Sequence, residues 1–145
     1  MQFRLSRLVF LALLPVFSAG NAVLALNAHA SPLAGIWQGQ YICGQGGTAV
    51  TVELSEADAN GDVHGVFTFR NMPGKTNVSP GKFAVSGSYD AKAGKLEIWP
   101  AGWILRPPRY VPVGFSANLD LERGQLTGHM HHHTCSAIEL ERTAG

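Results

Sequence analysis

The chain has 145 residues, of which 46% are hydrophobic and 14% are charged, and its formal net charge is +1. A charge so close to zero gives no electrostatic footprint for nucleic acid or for anionic lipid, so these partner classes are excluded. The length corresponds to one domain with a core of modest size.

Residues 1–30 have the features of a secretory signal peptide. They contain no acidic residue, carry two arginines ahead of an apolar run over about residues 8–26, and end in Ala28-His29-Ala30. A retained membrane anchor needs roughly 20 uninterrupted apolar residues, whereas proline, serine, glycine and asparagine break this run. We therefore predict cleavage after Ala30. The mature part, residues 31–145, is expected to be periplasmic or secreted, with no membrane span.

The mature chain alternates apolar and polar residues with period 2 in nearly every segment, and no segment shows helical spacing over three turns. This pattern is typical of strands. Eight are predicted, over residues 35–43, 48–55, 63–70, 82–89, 95–99, 111–119, 125–131 and 135–142. Residues 58–62 and 90–94 have strong turn chemistry. We predict an all-β fold, a small antiparallel eight-stranded barrel, with a two-sheet sandwich as the alternative.

Two segments interrupt the alternation. Residues 71–80 hold two prolines, two asparagines and a glycine, which predicts a long loop. Residues 100–112 hold four prolines. Because proline lacks the donor that a sheet requires, we expect this segment to lie extended over the rim of the fold rather than in a central strand.

Cys43 and Cys135 are the only cysteines, so an oxidising compartment leaves one intramolecular disulfide. In an eight-stranded up-and-down barrel, the end of the first strand lies beside the start of the last. The bridge is therefore predicted to close the seam of the barrel and remove its exposed edges. Cys135 alternates away from Ile138 and Leu140, which predicts that it lies in a turn or at a bulge.

The segment Gly35-Ile36-Trp37 resembles the Gly-x-Trp opening of lipocalin and avidin-type barrels. The resemblance implies a barrel in which Trp37 plugs one end.

A second resemblance covers more of the chain. Residues 41–44, 50–54, 86–89 and 99–102 follow the order of motifs in exported bacterial C-type lysozyme inhibitors. These are small β-barrels with a disulfide to a late cysteine, and they insert a loop into the lysozyme cleft. The resemblance implies that Ser86 and Tyr89 correspond to the serine and tyrosine of that loop. Residues 35–44, 103–108 and 135–142 also resemble exported domains of proteobacteria, a likeness that implies no activity.

Aromatic and arginine residues gather around the proline-rich segment, a composition typical of binding hot spots. The alternative is that the indoles cap the core with arginine stems packed across them. The candidate partner-binding residues here are Trp99, Trp103, Arg106, Arg109 and Tyr110.

Four of the five mature histidines lie within residues 129–133. Imidazole nitrogens bind Zn²⁺ and Cu²⁺, and alternate residues of a strand share a face. The candidate metal ligands are His129, His131, His132 and His133. The alternatives are adventitious metal binding and a pH sensor based on mutual repulsion of charged imidazoles. No other cofactor is predicted.

Catalytic motifs are absent from the sequence. It has no Gly-x-Ser-x-Gly elbow, no His-Glu-x-x-His and no phosphate loop, and both cysteines are expected to be oxidised. We therefore predict a non-catalytic binding module for a protein or small molecule of the cell envelope. An inhibitor of a lysozyme-like enzyme is the leading version, and a histidine-rich metal-binding protein is the alternative.

Overall fold

The computed structural model describes residues 32–75 and 77–144. The predicted signal peptide lies outside the described residues. Eight strands follow one another: β1 (Gly35–Cys43), β2 (Gly46–Leu54), β3 (Asp62–Asn71), β4 (Gly81–Asp90), β5 (Lys95–Leu105), β6 (Phe115–Asp120), β7 (Gln125–Met130) and β8 (Ala137–Ala144). No helix within the described ranges is long and apolar enough to cross a membrane.

Each strand pairs antiparallel with the next, and β8 returns to pair with β1. The sheet is therefore a closed eight-stranded barrel, which confirms the predicted fold and removes the sandwich alternative. At the seam Gly39 lies opposite Leu140, with one register shift between Ile36 and Trp37. Because β1 and β8 pair with each other, neither strand has a free edge where they are paired.

A disulfide joins Cys43, the last residue of β1, to Cys135, which lies just before β8. The prediction of a bridge at the seam is confirmed. Cys135 lies in a turn, where its N–H donates to the carbonyl of His132 over 3.0 Å. This position explains why the residue does not share the alternation of β8.

Inward-facing residues of all eight strands form one core, in which Phe67, Phe83 and Phe115 are fully or almost fully buried. At one end, which we call the base, Trp37 has no exposed surface and donates its indole N–H to the carbonyl of Leu33 over 2.9 Å. The Arg142 guanidinium lies 4.6 Å from the centre of the Trp37 ring. These contacts close the base of the barrel.

At the base, residues 55–61 join β2 to β3, and two short turns join β4 to β5 and β6 to β7. The two short turns use the same residue types in the same roles. Asp90 accepts two backbone N–H groups through its carboxylate in the β4–β5 turn, and Asp120 does the same in the β6–β7 turn. Each turn ends at a glycine with positive φ, Gly94 at 65° and Gly124 at 62°. The aspartate satisfies the turn amides and the glycine provides the left-handed residue.

The other end, which we call the mouth, carries the connections at residues 44–45, 72–80, 106–114 and 131–136, together with the disulfide. Here the structure corrects the expectation for residues 100–112. β5 continues through Pro100 to Leu105 and pairs with β4, with two register shifts in this stretch. Its pairing with β6 ends at Ile98, so Pro100 lies in a part of the strand that is paired on one side only, where a missing donor is tolerated.

Candidate functional site

The mouth contains a cavity of about 260 Å³. Its walls are aromatic and aliphatic, and its polar groups lie on the loops around them. The lining comprises Tyr41, Cys43, Gly44, Gln45, Phe69, Phe83, Arg109, Tyr110, Val111, Val113, His132, Thr134 and Cys135. A concave, mostly apolar site with a few polar groups at one end of a barrel is the usual form of a small-ligand site.

Tyr110 connects two of the mouth loops. Its ring stacks on Phe69 with centroids 5.7 Å apart, and its hydroxyl accepts the backbone N–H of Ser79 over 2.9 Å. Trp103 packs edge-on against both Phe69 and Phe83. The 106–114 loop is thus held over the mouth by aromatic contacts, and residues of both β5 and the loop reach the core.

Tyr41 provides a buried polar group in the wall of the cavity. The phenol is 5% exposed and hydrogen-bonds to Thr48. Burial, which disfavours the charged phenolate, raises the pKa of Tyr41 above its ordinary value of 10.0, with Thr48 opposing the shift and Tyr110 adding to it. The hydroxyl therefore stays protonated and able to donate throughout the physiological range.

Arg109 is the only described residue other than glycine with a positive φ, at 65°. It occupies the third position of a turn over residues 107–110, in which the N–H of Tyr110 donates to the carbonyl of Pro107 over 3.4 Å. Pro108 at the second position and a positive φ at the third are typical of a type II turn, where glycine or asparagine is the ordinary third residue. The proline therefore fits the turn and the arginine does not.

A second polar cluster lies on the outer face of the barrel. Ser116 donates its hydroxyl to the Glu97 carboxylate over 2.6 Å and also contacts Nε2 of His131 at 2.6 Å. The His131 ring lies against Trp99, with centroids 4.2 Å apart, and its Nδ1 atom is buried without a hydrogen-bond partner. The serine hydroxyl thus joins the Glu97 carboxylate and the His131 imidazole in one hydrogen-bonded cluster.

The four candidate metal ligands are divided among different surroundings. His131 is engaged with Ser116 and Glu97, while His132 stacks on His133 with centroids 4.8 Å apart. The rings of His129 and His131 are 6.3 Å apart. In the part of the chain that the structure describes, no three His, Cys, Asp or Glu side chains are arranged to hold a metal ion. Metal binding by these histidines stays a prediction.

The candidate partner-binding residues are also divided. Trp103, Arg109 and Tyr110 lie at the mouth, whereas Trp99, with 55% of its surface exposed, lies on the outer face with His131. Arg106 is exposed but does not line the cavity. Trp103 and Tyr110 pack on the core, as the core-capping alternative expects, while Arg109 lines the cavity. A partner-binding role for these residues stays a prediction.

Ser86 and Tyr89 do not share a surface. Both belong to β4, and odd-numbered Phe83, Val85 and Tyr89 of this strand pack on the core, so even-numbered Ser86 lies on the outer face. Tyr89 lies near the base, where its N–H donates to the carbonyl of Gly61 over 2.8 Å. The implied role of this pair in lysozyme inhibition stays a prediction.

Several residues of the mouth were not identified from the sequence as functional candidates, among them Tyr41, Gln45, Phe69 and Val113. Strand alternation places Tyr41 and Phe69 inward but does not show whether they meet packed core or an open cavity. The two longest connections, residues 72–80 and 106–114, both lie at this end, and they are the signal that could have located the mouth.

Comparison of the chain with protein-family models and with curated proteins finds no match. A barrel fold supports many unrelated activities, so the functional conclusion depends on the geometry of the mouth.

Proposed function

We propose that the protein is an exported, non-catalytic binding module that receives a small ligand, or a protruding side chain of a partner protein, in the mouth cavity. The cavity itself is the observation that supports this function. Eight-stranded barrels have an interior just wide enough to be filled by side chains or to hold one small ligand. In this barrel the base is filled around Trp37, whereas the mouth keeps about 260 Å³ open between Phe83 and the loops.

Two features support export as part of the proposal. Residues 1–30 have the sequence pattern of a secretory leader. The Cys43–Cys135 disulfide suits an oxidising compartment such as the periplasm or the extracellular space. The expected partner is therefore a molecule of the cell envelope or its surroundings.

The proposal is tested by capture from an envelope extract with three versions of the protein. Val111→Trp places a large side chain in the lining of the cavity. Leu121→Trp makes a matched change at a base turn, because Val111 and Leu121 have 67% and 66% of their surfaces exposed. The wild type and Leu121→Trp should retain the same small molecule or protein, identified by mass spectrometry, and Val111→Trp should retain less than about a tenth as much.

Equal retention by all three proteins, or the absence of any molecule enriched on the wild type, would contradict binding at the mouth. The same three proteins in a lysozyme turbidity assay test the inhibitor version of the proposal. That version requires the wild type and Leu121→Trp to slow lysis at equimolar concentration and Val111→Trp to do so less. Full lysis in the presence of the wild type would exclude lysozyme inhibition.

A further inference from the structure

The lining of the mouth cavity carries a positive charge and several hydrogen-bond donors but no carboxylate. Arg109 is charged at every physiological pH. Within residues 32–75 and 77–144 its guanidinium forms no hydrogen bond or ion pair. The opening of the cavity thus presents an uncompensated cation to whatever enters.

His132 adds a directed donor to this lining. Its Nδ1 atom accepts the backbone N–H of Thr134 over 3.3 Å and contacts the Thr134 hydroxyl at 2.9 Å. An imidazole nitrogen that accepts an N–H bond carries no proton, so the neutral ring has its proton on Nε2. The Nε2–H group forms no hydrogen bond within the described residues, and His132 belongs to the lining of the mouth cavity.

The backbone of Arg109 gives an independent reason to assign it a role. A left-handed conformation is sterically unfavourable for a residue that has a Cβ atom, and glycine avoids this cost. Non-glycine residues held in this conformation cluster at sites of ligand contact. A glycine would satisfy the 107–110 turn better, so this conformation singles out Arg109 as a candidate for ligand contact.

The shape of the cavity limits the rest of the ligand. Its lining includes Phe69 and Phe83, which are 3% and 2% exposed, and Tyr110, whose ring is stacked on Phe69. Because these rings already pack on one another, a flat apolar group in the cavity would lie against the edge of the aromatic cluster. A cavity of 150 Å³ holds benzene, so about 260 Å³ corresponds to a ligand of roughly ten non-hydrogen atoms.

We propose that the mouth binds a small aromatic carboxylate, with its ring against Phe69 and Tyr110 and its carboxylate held by Arg109 and by Nε2–H of His132. This inference rests on the proposed function and specifies the chemistry of its ligand. The same chemistry is found in a free aromatic acid and in the C-terminal residue of a peptide that ends in phenylalanine.

The test compares 3-phenylpropionate with its neutral amide, which has the same shape, in NMR titrations of the purified protein. The acid should shift the amide resonances of mouth residues and bind about tenfold more tightly than the amide, because only the acid forms charge-assisted hydrogen bonds with Arg109. Its affinity should fall as salt is added, since the arginine is exposed.

Arg109→Gly is the informative variant because glycine adopts the positive φ of this turn without strain. The variant should keep its fold and its affinity for the amide but lose the tenfold preference for the acid. Arg106→Gly removes a charge from the same loop outside the cavity lining and should retain the preference.

A phenylalanine-terminated tetrapeptide and its C-terminally amidated form distinguish the two sources of the ligand. If the peptide with the free carboxyl binds more tightly than the amidated peptide, the ligand includes the C-terminus of a partner protein. If only the phenylpropionate pair shows this preference, the ligand is a free acid. Equal binding of acid and amide by the wild type would overturn the ligand class while leaving the mouth as a binding site. If the wild type binds neither 3-phenylpropionate nor its amide, the ligand class is also overturned. The capture experiment then tests the proposed binding function independently.

Discussion

At the scale of single residues, Tyr41 links the chemistry of the mouth to the stability of the barrel. Its phenol is buried against Thr48, and burial raises its pKa in the folded protein. Below pH 10 the phenol is neutral in both states. Above that pH the unfolded chain releases the proton while the folded protein retains it, so the free energy of unfolding decreases, by up to about 1.4 kcal/mol per pH unit.

Tyr41→Phe should remove this alkaline loss while costing about 1 kcal/mol at neutral pH through the lost Thr48 hydrogen bond. Urea unfolding at several pH values between 8 and 12, about two units either side of the ordinary phenol pKa, measures both effects. Tyr89→Phe removes a phenol near the base and serves as the control. An unchanged pH slope in Tyr41→Phe would show that another group causes the alkaline loss.

Single residues also show where sequence reasoning reaches its limit. Alternation correctly placed Cys43 at the end of β1 and Cys135 outside the pattern of β8. It did not show that His131 turns to Ser116 while His132 lines the mouth cavity. Both histidines lie in a connection rather than a strand, where period-2 alternation no longer assigns side chains to faces.

At the scale of elements, glycines allow neighbouring strands of this barrel to approach each other closely. A Cβ atom at Gly87 of β4 would collide with the carbonyl of Glu97 on β5. The neighbouring atom is backbone, so the clash is relieved only by moving the strand. Gly87→Ala should therefore lower the free energy of unfolding by about 2 kcal/mol or more.

Gly44→Ala is the matched control, because its Cβ would meet only the Thr134 hydroxyl at 3.8 Å, an ordinary contact. It should change stability by less than about 0.5 kcal/mol. Thermal or urea denaturation of the two variants gives the comparison. A similar small effect at both positions would mean that β4 and β5 shift apart at little cost.

The strands themselves were largely predictable, with two exceptions around the proline-rich segment. The strand predicted over residues 111–119 begins only at Phe115, because residues 111–114 belong to the mouth loop. Alternation and Asp–Gly turn chemistry located all eight strands and the tight turns at the base. The prolines misled the prediction at β5, which continues through Pro100. Sequence shows that proline cannot donate, but only the assembled barrel shows that β5 has a side on which no donor is needed.

At the scale of the whole molecule, two closures of different kind hold the chain ends together. Backbone pairing joins β1 to β8 from the base upward, and the disulfide joins the same elements at the mouth. The bridge connects positions 92 residues apart. On the chain-entropy model, such a cross-link contributes about 4 to 5 kcal/mol by restricting the unfolded state.

The disulfide also lines the mouth cavity, so its loss should act unevenly along the barrel axis. A variant with both Cys43→Ser and Cys135→Ser should lose about 4 kcal/mol of unfolding free energy yet still close through the β1–β8 pairing. Hydrogen exchange should then show larger losses of protection in the mouth loops than at Trp37, because a covalent link no longer restrains local opening of the mouth. Equal loss at both ends, or a stability change below about 1 kcal/mol, would show that the backbone seam alone determines the closure of the mouth.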